Sequence, residues 1–185
     1  MITVPLRILL VEDNKTDVDL ITYHIQKIVE IPDIRIVENL EDFDRELMLF
    51  VPDVIISDYN LPTCTGLDVL EHARIVEETI PFIFLTGAIE DEELAANTIL
   101  AGANGFILKK HMNNLDEKLR PLLKKIVFNM GEREEIRDKI RKNKVVVNQI
   151  YQYLDKINLD NAEQRDNIEK IKNNMKQIDL ENDDE

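Results

Sequence analysis

The chain has 185 residues, enough for one domain of ordinary size plus an extension. Its 44% apolar content, with only 5 Gly and 6 Pro, marks a helix-rich globular sequence, and no apolar run reaches the roughly 18 residues needed to span a bilayer. A single cysteine, Cys64, excludes an internal disulfide and a cysteine metal cluster, while the net charge of −14 favours divalent cations or basic partners over nucleic acid. That charge is uneven. Residues 1–112 hold 21 acids against 8 bases, and residues 113–185 hold 16 against 15. The opening MITVPLRILLVED has no basic region ahead of a cleavable apolar stretch, so a reducing, cytoplasmic setting is expected.

Taken in order, Leu6 to Val11 is a short apolar run of the kind buried in a parallel sheet, and it ends in Glu12-Asp13. Asn14, with Asp17 three residues on, reads as a variant capping box. Val18, Ile21, Ile25 and Ile28 then give an amphipathic helix to about Glu30, broken by Pro32-Asp33. Ile34 to Val37 is a second strand. Asn39 caps a helix with the stripe Leu40, Phe43, Leu47 and Phe50, which Pro52 ends. Val54-Ile55-Ile56 is the central strand. It delivers Asp58 into a loop seeded with Asn60, Pro62 and Gly66, and Gly66 opens a helix carrying Leu67, Leu70 and Ala73. Phe82 to Leu85 is a fourth strand ending in Thr86-Gly87, followed by a helix from Asp91 to Gly102 whose first-turn acids suit the helix dipole. Phe106 to Leu108 is the fifth, ending in Lys109. Strand and helix alternating five times predict an α/β domain, a parallel sheet covered on both faces.

In such sheets the chemistry lies beyond the carboxyl ends of the strands. Each strand-end residue has an ordinary alternative: Asp58 a turn former, Glu12-Asp13 a capping pair, Thr86 a hydroxyl bonded to backbone, Lys109 a surface lysine. All five residues, at four strand ends, point instead to one site. Carboxylates crowded together raise one another's pKa unless a cation joins them, and hard oxygen donors with room for water suit Mg²⁺. A metal, a carboxylate nucleophile, a lysine and a hydroxyl are what phosphoryl transfer to an aspartate requires.

The segments LLVEDN at 9–14, DVIISDYNLPTCTGLDVL at 53–70, PFIFLTGA at 81–88 and GANGFILKK at 102–110 resemble the receiver domain of two-component response regulators, of the chemotaxis-regulator (CheY-like) type. The resemblance covers residues 5–128. It implies a flavodoxin-like (βα)5 three-layer fold with strand order 2-1-3-4-5. By it, Asp58 would accept a phosphoryl group from a histidine kinase or phosphotransfer protein. Glu12, Asp13, Asp58 and the backbone carbonyl of Asn60 would hold Mg²⁺, and Lys109 would neutralise a phosphoryl oxygen. Thr86 would swing onto that oxygen and Phe106 would turn inward, reshaping the face of the fourth helix, fifth strand and fifth helix. Asn60 and Ala88 occupy positions that tune acyl-phosphate lifetime in the family. Lys110 stands where the family usually has proline, so a trans bond is expected there, a cis one costing about 2.5–4 kcal/mol.

The domain is expected over 1–130 and a helical extension over 131–185. Asn113 to Arg120 is expected as a short turn, with Pro121 opening the last helix of the domain and Leu122, Leu123, Ile126 and Val127 facing the sheet. Beyond Gly131, Ile136, Ile140, Asn143, Val147, Ile150, Leu154 and Ile157 fall at spacings of four and three, and the phase continues to Ile178. This predicts a coiled coil and a homodimer, with Asn143 setting register. A helical hairpin turning at Asn158 to Asn161 is the alternative. The extension has no winged-helix pattern, phosphate loop or zinc motif, so no separate enzymatic output is expected. The competing function is a DNA-associating transcriptional regulator using Lys118 to Lys144, a stretch of 10 bases and 4 acids. Without interleaved aromatics, that stretch also reads as a solvated helix face. A dehalogenase-type phosphatase would need a DxD motif after the first strand, and Glu12-Asp13-Asn14 does not supply it.

Overall fold

The computed structural model describes residues 1–87, 99, 101–130, 139, 142, 143, 146, 147 and 150. The chain divides into two compact units, Met1–Arg137 and Asp138–Glu185. In the first, five parallel strands lie in the order β2-β1-β3-β4-β5: β1 Leu6–Val11, β2 Pro32–Val37, β3 Val54–Ser57, β4 Phe82–Thr86 and β5 Gly105–Leu108. The helices described are α1 Lys15–Gln26, α2 Leu40–Phe50, α3 Gly66–Val76 and the C-terminal helix of this unit, here α4, Leu115–Met130. Residues 91–98 and 100 of the helix expected after β4 lie outside the described residues, and Ile99 is helical.

Alternation along the strands sorts the apolar residues into two cores. Ile8, Leu10, Ile56, Ile83 and Ile107 point to one face and pack with Ile21 and Ile25 of α1 and Leu119 and Leu123 of α4. Leu9, Val11, Ile55, Phe82 and Phe84 point to the other and pack with Phe43 and Leu47 of α2 and Val69 and Leu70 of α3. Both faces are covered, which is why the strands read as unbroken apolar runs.

Three local expectations are corrected. Asn14 does cap α1, its Oδ1 accepting the Thr16 and Asp17 N–H groups at 2.9 and 3.3 Å. The reciprocal half of a capping box is missing, because the Asp17 carboxylate is engaged elsewhere. The capping box forms instead at α3, where Thr65 and Asp68 exchange both bonds. The first helix ends at Gln26, short of Glu30.

The third correction concerns Pro121. It lies inside α4, which begins six residues earlier at Leu115, and a 3-10 segment, Lys109–Asn114, joins β5 to it. An interior proline costs a helix about 3 kcal/mol through the lost bond and ring clash. Leu115 and Leu119, exposed by 0% and 1%, offset this, since burying each is worth about 1.5–3 kcal/mol. No cis peptide bond occurs among the described residues, so the Lys109–Lys110 bond is trans as expected.

Candidate functional site

The strand order reverses at β1, because β2 lies on one side of it and β3 on the other. The crevice at such a switch point is where ligands bind in open α/β sheets. Val11 and Ser57, the last residues of β1 and β3, are paired in register. The residues that follow each, Glu12 and Asp58, therefore leave the sheet side by side. Their backbones continue the ladder, Glu12 N–H donating to Val37 O at 3.0 Å and Asp58 N–H to Val11 O at 2.9 Å.

Glu12, Asp13 and Asp58 each offer a carboxylate oxygen, and the three lie within 4.8 Å of one another. Glu12 is 1% exposed and Asp58 7%, while Asp13 faces solvent. The Asp58 carboxylate is oriented by its own loop: Oδ1 accepts the N–H groups of Tyr59 at 2.6 Å and Asn60 at 3.2 Å. Gly66 makes that loop possible. A Cβ there would lie 2.6 Å from Asp58 O and 2.7 Å from the Phe84 ring, and Gly66 N–H donates to Tyr59 O at 2.8 Å.

Lys109 closes the cluster from the end of β5. Its Nζ lies 2.8 Å from Asp58 Oδ2, 2.7 Å from Glu12 Oε2 and 2.6 Å from Asp17 Oδ2. Burial by itself would lower the pKa of this ammonium, but the bonds to Asp17, Asp58 and Glu12 outweigh it and hold the group above the usual lysine range. Burial pushes the Glu12 carboxyl up, the Asp58 charge adds to that, and the bond from Lys109 opposes it.

Thr86 ends β4 fully buried, and its hydroxyl has no hydrogen-bond partner among the described residues. A buried hydroxyl without a partner is costly. Phe106, half-buried on β5 opposite Phe84, packs against the α2–α3 side of the core. Asn60 supplies its N–H to Asp58. Ala88 lies outside the described residues, as do Ile136, Ile140, Leu154 and Ile157 of the expected seam. Of the others, Asn143, Val147 and Ile150 are helical; Asn143 and Ile150 are exposed and Val147 is half-buried.

Asp17 and Gly66 are the participants that sequence reasoning did not place in the site. Asp17 has the appearance of a cap partner, and only the reach of Lys109 across the sheet end shows otherwise. Gly66 carried a signal, since a glycine eight residues after a strand-end acid, at the start of the next helix, is suited to a close backbone return.

A lysine beside clustered oxygen donors at the switch point of a parallel sheet is an arrangement chemically suited to a hard divalent cation and, through the ammonium, to an anion. Residues 8–120 match the response regulator receiver domain family, and the chain belongs to it. Among curated proteins it is similar to an uncharacterized transcriptional regulatory protein, YvcP, of Bacillus subtilis, 31% identical over 120 residues covering 64% of this chain and 49% of that protein. The chain thus spans about half the length of that relative. Among solved structures it is similar to the signal receiver domain of a putative Luxo repressor protein from Vibrio parahaemolyticus, at 28% identity and TM-score 0.60, covering 68% of this chain and 95% of that one. It is also similar to the receiver domain of a sensor histidine kinase from Pseudomonas aeruginosa, crystallised with magnesium in its active-site cleft. That match has 25% identity and TM-score 0.56, covering 66% of this chain and 98% of that one. Among the described residues, no helix is long and apolar enough to cross a membrane.

Proposed function

We propose that the protein is the phosphoacceptor of a two-component pathway, with Asp58 taking a phosphoryl group from a histidine kinase or phosphotransfer protein. The observation that carries this reading is the single ammonium of Lys109 seated against Asp58 and Glu12, beside the third carboxylate of Asp13. In the transfer, the phosphorus–nitrogen bond of the donor breaks as a phosphorus–oxygen bond to the Asp58 carboxylate forms. The donor imidazole recovers a proton from solvent.

The donor set fits a hard divalent ion. Glu12, Asp13 and Asp58 supply three oxygens, and the Asn60 carbonyl is the proposed fourth. Mg²⁺ bound there supplies positive charge for the phosphoryl oxygens. The chain's own residues do the rest. The Tyr59 and Asn60 N–H groups hold the Asp58 carboxylate in one orientation, the Lys109 ammonium turns to pair with a phosphoryl oxygen, and the unpartnered Thr86 hydroxyl gains an acceptor there. Thr86 and Phe106 then carry the change to the face of β5 and its flanking helices, and Ala88 tunes the lifetime of the acyl phosphate. The similar receiver domain of a Pseudomonas aeruginosa kinase, crystallised with magnesium in its active-site cleft, supports the ion assignment.

The proposed output is protein–protein association through that face. The same proposal takes residues 131–185 as a coiled-coil dimer arm, with Ile136, Ile140, Asn143, Val147, Ile150, Leu154 and Ile157 as its proposed seam. A cytoplasmic setting follows from the pathway. Acetyl phosphate with Mg²⁺ is expected to add one phosphoryl group to the wild-type protein and none to Asp58→Asn, read by intact-protein mass spectrometry. Equal labelling of the two proteins would defeat the assignment. Light scattering with and without beryllofluoride reads whether association follows.

A further inference from the structure

Lys109 has three carboxylate partners, and they are not equivalent. Glu12 and Asp58 also belong to the trio of oxygen donors within 4.8 Å of one another, whereas Asp17 does not. Asp17 sits in the first turn of α1, with its N–H already taken by Asn14 Oδ1. The Asn14 N–H donates to Glu12 Oε1 at 3.2 Å, so the Asp17 carboxylate makes no return capping bond, and its Oδ2 lies 2.6 Å from Lys109 Nζ. The helix that carries it is fixed by Ile21 and Ile25, both fully buried. Asp17 thus approaches the ammonium from a helix anchored in the core, outside the trio of clustered oxygen donors.

The consequence depends on the cation-binding reading above. When Glu12 and Asp58 turn their oxygens to a divalent ion, Lys109 keeps Asp17 and loses its other two anionic partners. A lysine is a strongly hydrated charge on a flexible four-carbon stem, and without an anchor it would swing into water. We propose that Asp17 is a positioning residue for Lys109, an anchor on α1 that keeps the ammonium beside Asp58 while the cation site is filled. One carboxylate also holds an ammonium less tightly than three, so Lys109 stays available to a phosphoryl oxygen.

The test follows the Lys109 ammonium itself, in full-length protein labelled with ¹⁵N-lysine, its cross-peak assigned by disappearance in Lys109→Arg. Ammonium protons held by carboxylates exchange slowly enough to be seen. Wild type is expected to show the peak both in EDTA and in saturating MgCl₂. Asp17→Asn should show it in EDTA, where Glu12 and Asp58 still hold the lysine, and lose it in MgCl₂; Asp17→Glu should keep it in both. A peak that survives MgCl₂ in Asp17→Asn overturns the proposal, as does a wild-type peak missing in EDTA or lost when Mg²⁺ binds. If MgCl₂ shifts no carboxyl carbon of Glu12 or Asp58 in the wild type, the cation-site reading itself is overturned, and this inference with it.

Discussion

Val51 is the non-glycine residue with positive φ among those described, at φ 50° and ψ 73°, where it ends α2 in the left-handed conformation. That conformation costs an L-residue about 1–2 kcal/mol, and a β-branched side chain is among the poorest fits. Asn tolerates it through its short polar side chain. Val51→Asn is therefore expected to stabilise the protein by about 0.5–1 kcal/mol, after allowance for the partly buried valine methyls. The check is the urea midpoint at unchanged m-value. Gly66 has the opposite character. Its missing Cβ leaves room for the Asp58 carbonyl and the Phe84 ring, both under 3 Å from where that atom would sit. Gly66→Ala should destabilise by about 1–3 kcal/mol through overpacking. Because the clash falls on the Asp58 backbone, labelling by acetyl phosphate should slow as well. Unchanged labelling would show that the loop absorbs the methyl without moving the acid.

Between elements, α1 and α4 are tied by more than apolar contact. His24, 2% exposed, bonds through Nδ1 to Asp116 Oδ1 at 2.7 Å, joining the last turn of α1 to the first turn of α4. The bond from His24 holds the Asp116 carboxyl below its ordinary 3.8. A carboxyl with a lowered folded pKa adds stability that is present above 3.8 and is lost as pH falls through the folded value. Asp116→Asn is expected to flatten that part of the acid limb of a thermal-stability profile and to lower the neutral plateau, where the ionised carboxylate contributes. This tie lies at the same turn where the sequence expectation for α4 failed. Pro121 is a strong local signal for a helix start, yet the first turns form ahead of it because Leu115 and Leu119 are buried there. Of the basic residues of α4, Lys118, Lys124 and Lys125 are exposed and Arg120 is half-buried.

At the scale of the whole molecule, four acids of the acidic first part of the chain, Glu12, Asp13, Asp17 and Asp58, meet at one sheet end, where Lys109 is paired with three of them. A ligand that binds only the folded state stabilises it by mass action, about 2.7 kcal/mol at a hundredfold excess over its Kd. MgCl₂ is expected to raise Tm relative to EDTA, and Asp13→Asn, which alters only an exposed acid, should remove most of that rise. An equal rise in both proteins would place the ion elsewhere. That the sheet is parallel and covered on both faces was legible in runs such as Leu6–Val11 and Val54–Ile56, while the strand order that makes this pocket was implied by the family resemblance. The ends of elements were less legible. Gln26, Leu115 and the half-made cap at Asn14 were decided by contacts with residues far along the chain.

The order of strands and helices, the residues at the strand ends and the acidity of the pocket were set by the sequence alone, since apolar periodicity and turn chemistry act over a few residues. The partners of Lys109 were decided by tertiary structure. A side chain after the last strand meets Asp17, Glu12 and Asp58 only because parallel pairing through β1, β3 and β4 brings those ends to one edge. Distance in space, unlike spacing in sequence, depends on the whole sheet being formed.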